Sequence, residues 1–177
     1  MTYNMEWLLN KPTTEDDFEF FWGHKGKFPI GKHCLSQWFY APFVVDGVVY
    51  PTAEHWMMAK KALLFADNDT FHSIIATESP KDVKSLGRTI KGFSSTIWDV
   101  HKMDIVKEGN LLKFQDPSLR DYLLSTENKI LVEASPYDTI WGIGISVNQE
   151  EIFYKHLWRG ENLLGFILME VRDLLSK

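Results

Sequence analysis

The sequence predicts a single helix-rich α+β domain with a small β-hairpin or sheet, and three observations support this fold class. An Asp-Gly pair lies between two β-branched runs at 43–50, which is the strongest short-range signal for a hairpin. Helix-starting dipeptides recur at Ser79-Pro80 and Asp116-Pro117. An apolar stripe at helical spacing ends the chain. Because 177 residues can bury one sizeable core, we expect one domain over residues 1–177.

The first predicted elements are the hairpin and the helix that follows it. Asp46-Gly47 can adopt the left-handed backbone conformations that a two-residue turn requires. Thr52 can cap a helix with its side-chain oxygen. That helix is indicated by residues at helical spacing, namely Trp56, Ala59, Lys60 and Leu63. We therefore expect the strand to give way to a helix near Thr52.

Three helices are predicted in the middle of the chain. Ser79-Pro80 begins a short helix that Gly87 closes. A longer helix over 97–114 has apolar residues seven positions apart, which we expect to face the core: Trp98, Ile105 and Leu112. Asp116-Pro117 begins the next helix in the same way as Ser79-Pro80.

A strand and a final helix complete the predicted elements. The segment 129–134 contains an apolar run that is interpreted as a strand, whereas 141–145 is too rich in glycine for an assignment. The last helix has an apolar stripe from Leu164 to Leu175, with charged residues on its other faces.

Charge and composition exclude several partners. A net charge of −5 gives no electrostatic basis for general nucleic-acid binding, which depends on Lys and Arg contacts to phosphates. No apolar run approaches the ~20 residues that span a bilayer, so no membrane association is predicted. Cys34 is a single cysteine, and residues 1–11 lack the apolar core of a signal peptide. We therefore expect a cytoplasmic protein.

Several kinds of chemistry are also excluded by the absence of their motifs. The six histidines and Cys34 show no zinc-binding spacing, so no metal is predicted. The chain has no dinucleotide-binding glycine motif, no Walker loop and no nucleophile elbow, so no cofactor is predicted. Acid–base chemistry by side chains remains.

The helix after Thr52 holds the arrangement that best fits such chemistry. Glu54 and Lys61 lie seven residues apart, so they share one helix face with about 10 Å between their Cα atoms. Met57 and Met58 lie between them, and together they form an apolar strip about as wide as a ribose. The alternative is ordinary: a first-turn Glu favours the helix dipole, and a later Lys is usually a solvated surface residue.

Five blocks of the sequence, in order, resemble the NADAR (YbiA-like) family over roughly residues 18–174. The first block, 51–61, is similar to the family's P-T-S/A-E-H-aromatic helix, which ends in a lysine aligned with Lys61. The resemblance continues through Leu86-Gly87-Arg88 and Trp98, then 111–114, 123–126 and 131–134, then 138–145, and finally 158–165 with 168–172. It implies a YbiA-like fold with its core over those residues.

The resemblance implies an enzyme that cleaves N-glycosides. Some family members act on early riboflavin-pathway intermediates, and others remove ADP-ribose from guanine. The partner implied here is therefore a small-molecule ribosyl heterocycle or an ADP-ribosylated guanine. Family residues that match this sequence imply Glu54, Lys61 and Asp138 as catalytic residues, and Trp141, Gly142, Asn162, Trp98 and Arg88 as substrate-binding residues.

Cleavage of a ribosyl C–N bond needs a carboxylate near the anomeric carbon and a proton donor for the departing base. Glu54 is assigned to the anomeric side, as electrostatic stabiliser or base for water, and Asp138 to orienting a ribose hydroxyl or that water. Lys61 has two open roles. It can act as an ammonium that protonates the leaving nitrogen, or as a neutral amine that forms a Schiff base with ring-opened ribose.

The predicted binding residues each have a structural alternative. Trp141 can offer its face to a heterocycle while Gly142 lets the backbone approach closely. Trp98 suits core packing at least as well as closing the other side of the heterocycle. Arg88 can bind a phosphate or remain a solvated residue, and Asn162 can bind ribose hydroxyls or cap the last helix.

One departure from the family concerns the riboflavin-intermediate substrate. The YbiA branch has an acidic residue after Trp-Gly where this chain has Ile143, so an acid at that position is absent.

A non-catalytic module that binds ADP-ribose or a related nucleotide is the alternative function. Such a module would keep Trp141 and Asn162 but would not need Glu54 and Lys61 on one helix face.

Overall fold

The computed structural model describes residues 2–177 and shows a helix-rich α+β fold that contains two small sheets. The expected fold class is confirmed. The chain groups into two compact units. The terminal unit combines the N-terminal segment up to Ser36 with Pro117–Lys177, and the central unit is Gln37–Asp116. No helix within residues 2–177 is both long and apolar enough to cross a membrane.

The central unit contains one hairpin and four helices. These are β2 (Phe43–Val45), β3 (Val48–Tyr50), α2 (Ala53–Leu64), α3 (Asn68–Ile75), α4 (Pro80–Leu86) and α5 (Ser95–Lys113). Strands β2 and β3 pair antiparallel, with Phe43 opposite Tyr50. Helix α2 packs against α3, α4 and α5, which makes it the centre of this unit.

Most of these elements lie where the turn and helix-capping residues of the sequence predict them. Asp46 and Gly47 have φ angles of 51° and 79°, as a tight hairpin turn requires. The Thr52 side chain accepts a hydrogen bond from the His55 N–H and caps α2. Ser79 caps α4, with Pro80 at its first position and Gly87 as its C-cap. The predicted hairpin and both helix starts are therefore confirmed, whereas α3 was not predicted.

The buried face of α5 differs from the predicted one. Trp98, Ile105 and Leu112 are only half-buried, and the buried residues of the helix lie on a neighbouring face: Val106, Gly109, Asn110 and Lys113. A Cβ at Gly109 would overlap the Trp56 ring. Helix α5 therefore packs against α2 at a position where α5 carries no side chain. The prediction of the face was wrong because it relied on apolar residues alone, while this face carries buried polar side chains.

The terminal unit contains two strands and three helices. These are α1 (Met5–Asn10), β1 (Phe18–Phe21), α6 (Pro117–Ser125), β4 (Ile130–Glu133) and α7 (Leu163–Leu175), with 3-10 turns at Glu15–Asp17, Lys32–Leu35, Glu150–Phe153 and Lys155–Leu157. The helix at Asp116-Pro117, the strand within 129–134 and the last helix are confirmed. Neither α1 nor β1 was predicted.

A parallel strand pair and one helix form the core of this unit. Strand β1 pairs with β4, with Phe18 opposite Ile130. Helix α7 packs closely on β4, since a Cβ at Gly165 would overlap the Leu131 carbonyl oxygen. The buried Arg172 guanidinium donates to Thr126 Oγ1 at 2.8 Å and to the Lys129 carbonyl at 2.9 Å. The start of β4 is thereby tied to α7.

Candidate active site

The first predicted site residue lies at the buried start of α2. Glu54 is in the first turn of that helix, two residues after the Thr52 cap, and only 2% of it is exposed. The helix dipole favours a negative charge at this position. A carboxylate held in this way is shielded from water, so its electrostatic effect on neighbouring groups is stronger than at a surface.

Lys61 lies at the other end of α2 among aromatic rings. Its Nζ donates to the Gly87 carbonyl at 2.8 Å and sits 4.2 Å from the ring centroid of Phe93 and 5.5 Å from that of Trp98. Partial burial lowers the pKa of Lys61 because it removes water from the ammonium, and the negative charge of Glu54 partly opposes this shift. Within the central unit, Lys61 therefore interacts with two other predicted site residues, Glu54 and Trp98.

The methionines between these residues do not form an open strip. Met57 is 3% exposed and Met58 is 7% exposed, so both belong to the core. A Cβ at Gly87 would overlap Met58 Sδ, which shows how closely α2 and the end of α4 approach. The proposed apolar strip was wrong: Met58 instead packs beside the residue whose carbonyl oxygen holds Lys61.

The histidine of the same motif has a structural role in this geometry. His55 is fully buried, with Nε2 2.8 Å from the Thr77 carbonyl oxygen and Nδ1 2.8 Å from Thr52 Oγ1. Because a carbonyl only accepts, Nε2 carries the proton and Nδ1 accepts from the Thr52 hydroxyl. Burial lowers the pKa of His55, in keeping with a neutral ring. His55 thus joins the start of α2 to the segment before α4.

In the terminal unit, Asp138 organises the loop that carries Trp141. Its Oδ1 accepts from the Trp141 N–H at 2.8 Å and from the Ile140 N–H at 3.1 Å. Its carbonyl accepts from the Gly144 N–H at 3.2 Å. A Cβ at Gly142 would lie 2.7 Å from the Glu133 carbonyl oxygen, so the loop packs against the end of β4. These contacts hold Trp141, which is half-buried, in a fixed position.

Asn162 links this loop to β4 and α7. Its Oδ1 accepts from the Glu133 N–H and its Nδ2 donates to the Leu131 carbonyl, both at 3.0 Å. Its own N–H donates to the Gly142 carbonyl at 3.2 Å. The residue is fully buried at the N-cap position of α7, but its side chain makes no cap hydrogen bond. This geometry favours a structural role, since the amide satisfies the backbone of β4 rather than the helix.

Asn162→Ala is expected to destabilise the fold by about 3 kcal/mol. The change leaves two buried β4 backbone groups without partners, at about 1 kcal/mol or more each. It also puts alanine at a φ of 51°, which costs about 1 kcal/mol more than glycine. Urea denaturation measures the loss, and Asn162→Gly separates the two causes because it removes only the amide. A role confined to ribose binding predicts unchanged stability and a raised KM instead.

In the described part of the chain, neither Arg88 nor the described cavity makes a contact with the other predicted site residues that bears on this geometry. The Arg88 side chain is exposed, and its position follows Gly87, the residue that accepts from Lys61. A cavity of about 450 Å³ is lined by seven residues, none of them predicted site residues: Phe65, Ala66, Asp67, Asn68, Asp69, Lys91 and Gly92. Within residues 2–177, no three His, Cys, Asp or Glu side chains are arranged to hold a metal ion.

Sequence reasoning missed two neighbours of the predicted residues. Phe93 contacts Lys61 from the loop before α5, where no periodicity marks it. Gln37 accepts the Glu54 N–H with its carbonyl oxygen at 3.0 Å, although it precedes the hairpin in the sequence. Neither residue carries a local signal, because both meet α2 only through tertiary packing.

Comparison with known proteins decides the family. The profile of the NADAR domain matches residues 20–176, which is nearly the whole chain. The chain belongs to the NADAR family. The protein named N-glycosidase R617, from Acanthamoeba polyphaga mimivirus, is 46% identical over 164 residues that cover 89% of this chain and 96% of that protein. The expected enzyme class, an N-glycosidase, is thereby confirmed.

Two further similarities concern substrate and fold. The maize protein named Riboflavin biosynthesis protein PYRR, chloroplastic, is 35% identical over 137 residues, which cover 72% of this chain but only 20% of that protein. The NMR structure of the E. coli protein YbiA superposes with a TM-score of 0.73 at 27% identity, covering 93% of this chain and 88% of YbiA. The fold of this NADAR chain is therefore YbiA-like, as expected.

Proposed function

We propose that this chain hydrolyses the N-glycosidic bond between a ribosyl group and a nitrogen heterocycle, with Glu54 and Lys61 as its catalytic pair. The observation that carries the proposal is the environment of Lys61. Its Nζ lies close to two aromatic rings and donates a hydrogen bond to a backbone carbonyl, and the charge of the buried Glu54 acts on its pKa. An amine with a lowered pKa that is coupled to a shielded carboxylate is typical of catalytic sites.

The bond changes define what this pair must do. The C1′–N bond breaks, water oxygen bonds to C1′, and the departing nitrogen takes up a proton. Positive charge develops at C1′ in the transition state, so the Glu54 carboxylate stabilises it or takes the proton from water. In one route, Lys61 supplies the proton to the leaving nitrogen. In the other, Lys61 attacks C1′ as a neutral amine while the C1′–N bond breaks, and the C1′–O4′ bond then opens to leave a Schiff base with ring-opened ribose. The two protons of the attacking amine pass to the leaving nitrogen and to O4′, and water then hydrolyses the Schiff base.

The loop of the terminal unit is proposed to contribute to binding. The Asp138 carboxylate and the two main-chain hydrogen bonds that it accepts hold the Trp141 ring ready to stack on a heterocycle. Gly142 and Asn162 support that loop from β4 and α7. Arg88 is proposed to bind a phosphate of the substrate through its guanidinium group.

Two substrates fit this chemistry, and they differ in the ribosyl part. One is an ADP-ribosylated guanine and the other is a phosphoribosyl intermediate of riboflavin synthesis. The maize relative's name supports the second. Ile143 favours the first, since a fully buried isoleucine stands where the YbiA branch has an acid. A cytoplasmic enzyme would meet either compound.

Incubation of the purified protein with each substrate tests the proposal. We expect chromatography to show the release of guanine from ADP-ribosylated guanine, or of 5,6-diaminouracil from the ribosylaminopyrimidine phosphate. Because the proposed groups are side chains, the same rate is expected after exhaustive treatment with EDTA. Binding of both compounds without release of base would identify the alternative, a non-catalytic nucleotide-binding module. Loss of activity that a divalent ion restores would contradict the side-chain mechanism.

A further inference from the structure

A buried pair of amide side chains lies beside the start of α2. Gln37 is 8% exposed and Asn110 is fully buried, and Gln37 Nε2 donates to Asn110 Oδ1 at 3.1 Å. The Gln37 carbonyl oxygen accepts the Glu54 N–H at 3.0 Å. The residue that carries one of these amides is therefore joined by a main-chain hydrogen bond to Glu54, the proposed catalytic residue.

The surrounding backbone fixes the orientation of both amides. Asn110 Nδ2 donates to the Val106 carbonyl at 2.8 Å, and a carbonyl oxygen can only accept. The nitrogen of Asn110 must therefore face Val106, which leaves its oxygen facing Gln37. That oxygen requires a donor, so the nitrogen of Gln37 must face Asn110. The oxygen of Gln37 is consequently the end that points away from the pair.

That oxygen has no hydrogen-bond partner among residues 2–177. Gln37 Oε1 is buried, and no donor in the described chain reaches it. A buried acceptor without a donor destabilises the folded state, and few occur in folded proteins. Rotating the amide would not remove the deficit, because it would bring two oxygens together at Asn110.

We propose that Gln37 Oε1 is a substrate-recognition atom that accepts a hydrogen bond from the ligand beside Glu54. The inference rests on the proposed N-glycosidase function and deepens it. Since Nε2 is held by Asn110, the group acts as an acceptor alone, and it selects ligands that bring a hydrogen-bond donor. A site built to hydrogen-bond one group discriminates strongly against ligands that lack it.

Both halves of the proposed substrates carry such donors. The ribosyl part offers hydroxyl groups, and the heterocycle offers ring or amino N–H groups. The two sources can be separated by binding each product alone. Ribose 5-phosphate and ADP-ribose provide the ribosyl donors, and 5,6-diaminouracil and guanine provide the heterocyclic ones.

Gln37→Met tests the proposal because methionine matches the size of glutamine but accepts hydrogen bonds only weakly. We expect the Kd of one of the two product classes to rise about tenfold, and the KM of the active substrate to rise with it. Gln115→Met is the matched control, since Gln115 is exposed and its Nε2 bonds only the Leu111 carbonyl among the described residues. Its Kd values should stay within about twofold of the wild type.

A second variant separates recognition from packing. Asn110→Leu breaks the same amide pair but leaves Gln37 Oε1 in the chain. If the pair only stabilises the fold, Gln37→Met and Asn110→Leu should lower thermal stability alike and leave the Kd values of all four products unchanged. That result would overturn the proposal. Larger losses of affinity in Gln37→Met than in Asn110→Leu would support it.

A measurement on the wild type covers the case in which Gln37→Met does not fold. The side-chain carbonyl ¹³C resonance of Gln37 should shift downfield when a product with the recognised donor saturates the protein. No shift with any of the four products would contradict the proposal. Failure of the proposed N-glycosidase function would be distinguishable from failure of the Gln37 proposal. In that case the products would bind, but neither substrate would release its base.

Discussion

Lys61→Ala is expected to reduce kcat by at least about 100-fold, the lower end of the range for positioned acid–base groups. Binding should change little, because a group needed mainly in the transition state affects turnover more than affinity. The fold should persist, since the change removes one hydrogen bond, to the Gly87 carbonyl, and two contacts with aromatic rings. Steady-state kinetics, circular dichroism and substrate binding by calorimetry measure these three effects.

The neighbouring lysine provides the matched control. Lys60 Nζ lies 4.4 Å from the Trp56 ring centroid, and Lys60→Ala should keep kcat within about twofold. Borohydride added during turnover distinguishes the two roles of Lys61. Trapping of a ribosyl adduct on the wild type but not on Lys61→Ala identifies a Schiff base, whereas no trapping favours the ammonium role. Turnover of Lys61→Ala near that of the wild type would show that this lysine is not catalytic.

Glu54→Gln is expected to reduce kcat by about 100-fold to 1,000-fold, because it removes the negative charge that stabilises developing positive charge at C1′. The shape of the side chain is kept, so we expect thermal stability close to that of the wild type. Glu108→Gln on the exposed face of α5 is the control and should leave kcat unchanged. An effect on KM alone would assign Glu54 to binding and contradict the catalytic role.

The same variant gives a pH test with a defined sign. Glu54 raises the pKa of Lys61 against the larger lowering by burial, so removing its charge should lower that pKa further. The residual activity of Glu54→Gln should therefore change at a lower pH than that of the wild type. Activity falls as pH rises through the pKa if Lys61 acts as an ammonium, and it rises if the neutral amine is the nucleophile. A pH profile with no displacement would mean that the two groups are not coupled.

The elements predicted from the sequence are those that a short stretch of residues marks by itself, through a turn dipeptide or a helix-capping residue. The Asp46-Gly47 turn, the Thr52 cap and the Ser79-Pro80 start each depend on side chains next to the backbone that they shape. Strand β1 has no such signal: it is four residues long, and its only described partner strand, β4, lies more than a hundred positions further along the chain. Pairing over that distance is decided by tertiary packing, which a local pattern does not contain.

In the candidate site, too, some features follow from the local sequence and others depend on tertiary contacts. The spacing of Glu54 and Lys61 on one helix follows from helical geometry, and the family resemblance selects the same residues. The roles of Asn110 and Asn162 were not readable, because each amide serves a partner that another element provides. Gly87 was predicted only as the end of α4, whereas its carbonyl oxygen also holds Lys61.

The pairing of β1 with β4 also constrains the order in which the chain can fold. The strand at Phe18–Phe21 leaves the ribosome early, but its parallel partner at Ile130–Glu133 follows only after the whole of Gln37–Asp116 has been made. The central unit consists of consecutive residues, so its helices can assemble during synthesis. Until β4 emerges, the apolar face of β1 stays exposed, and this interval is when the nascent chain is most open to aggregation and to capture by chaperones.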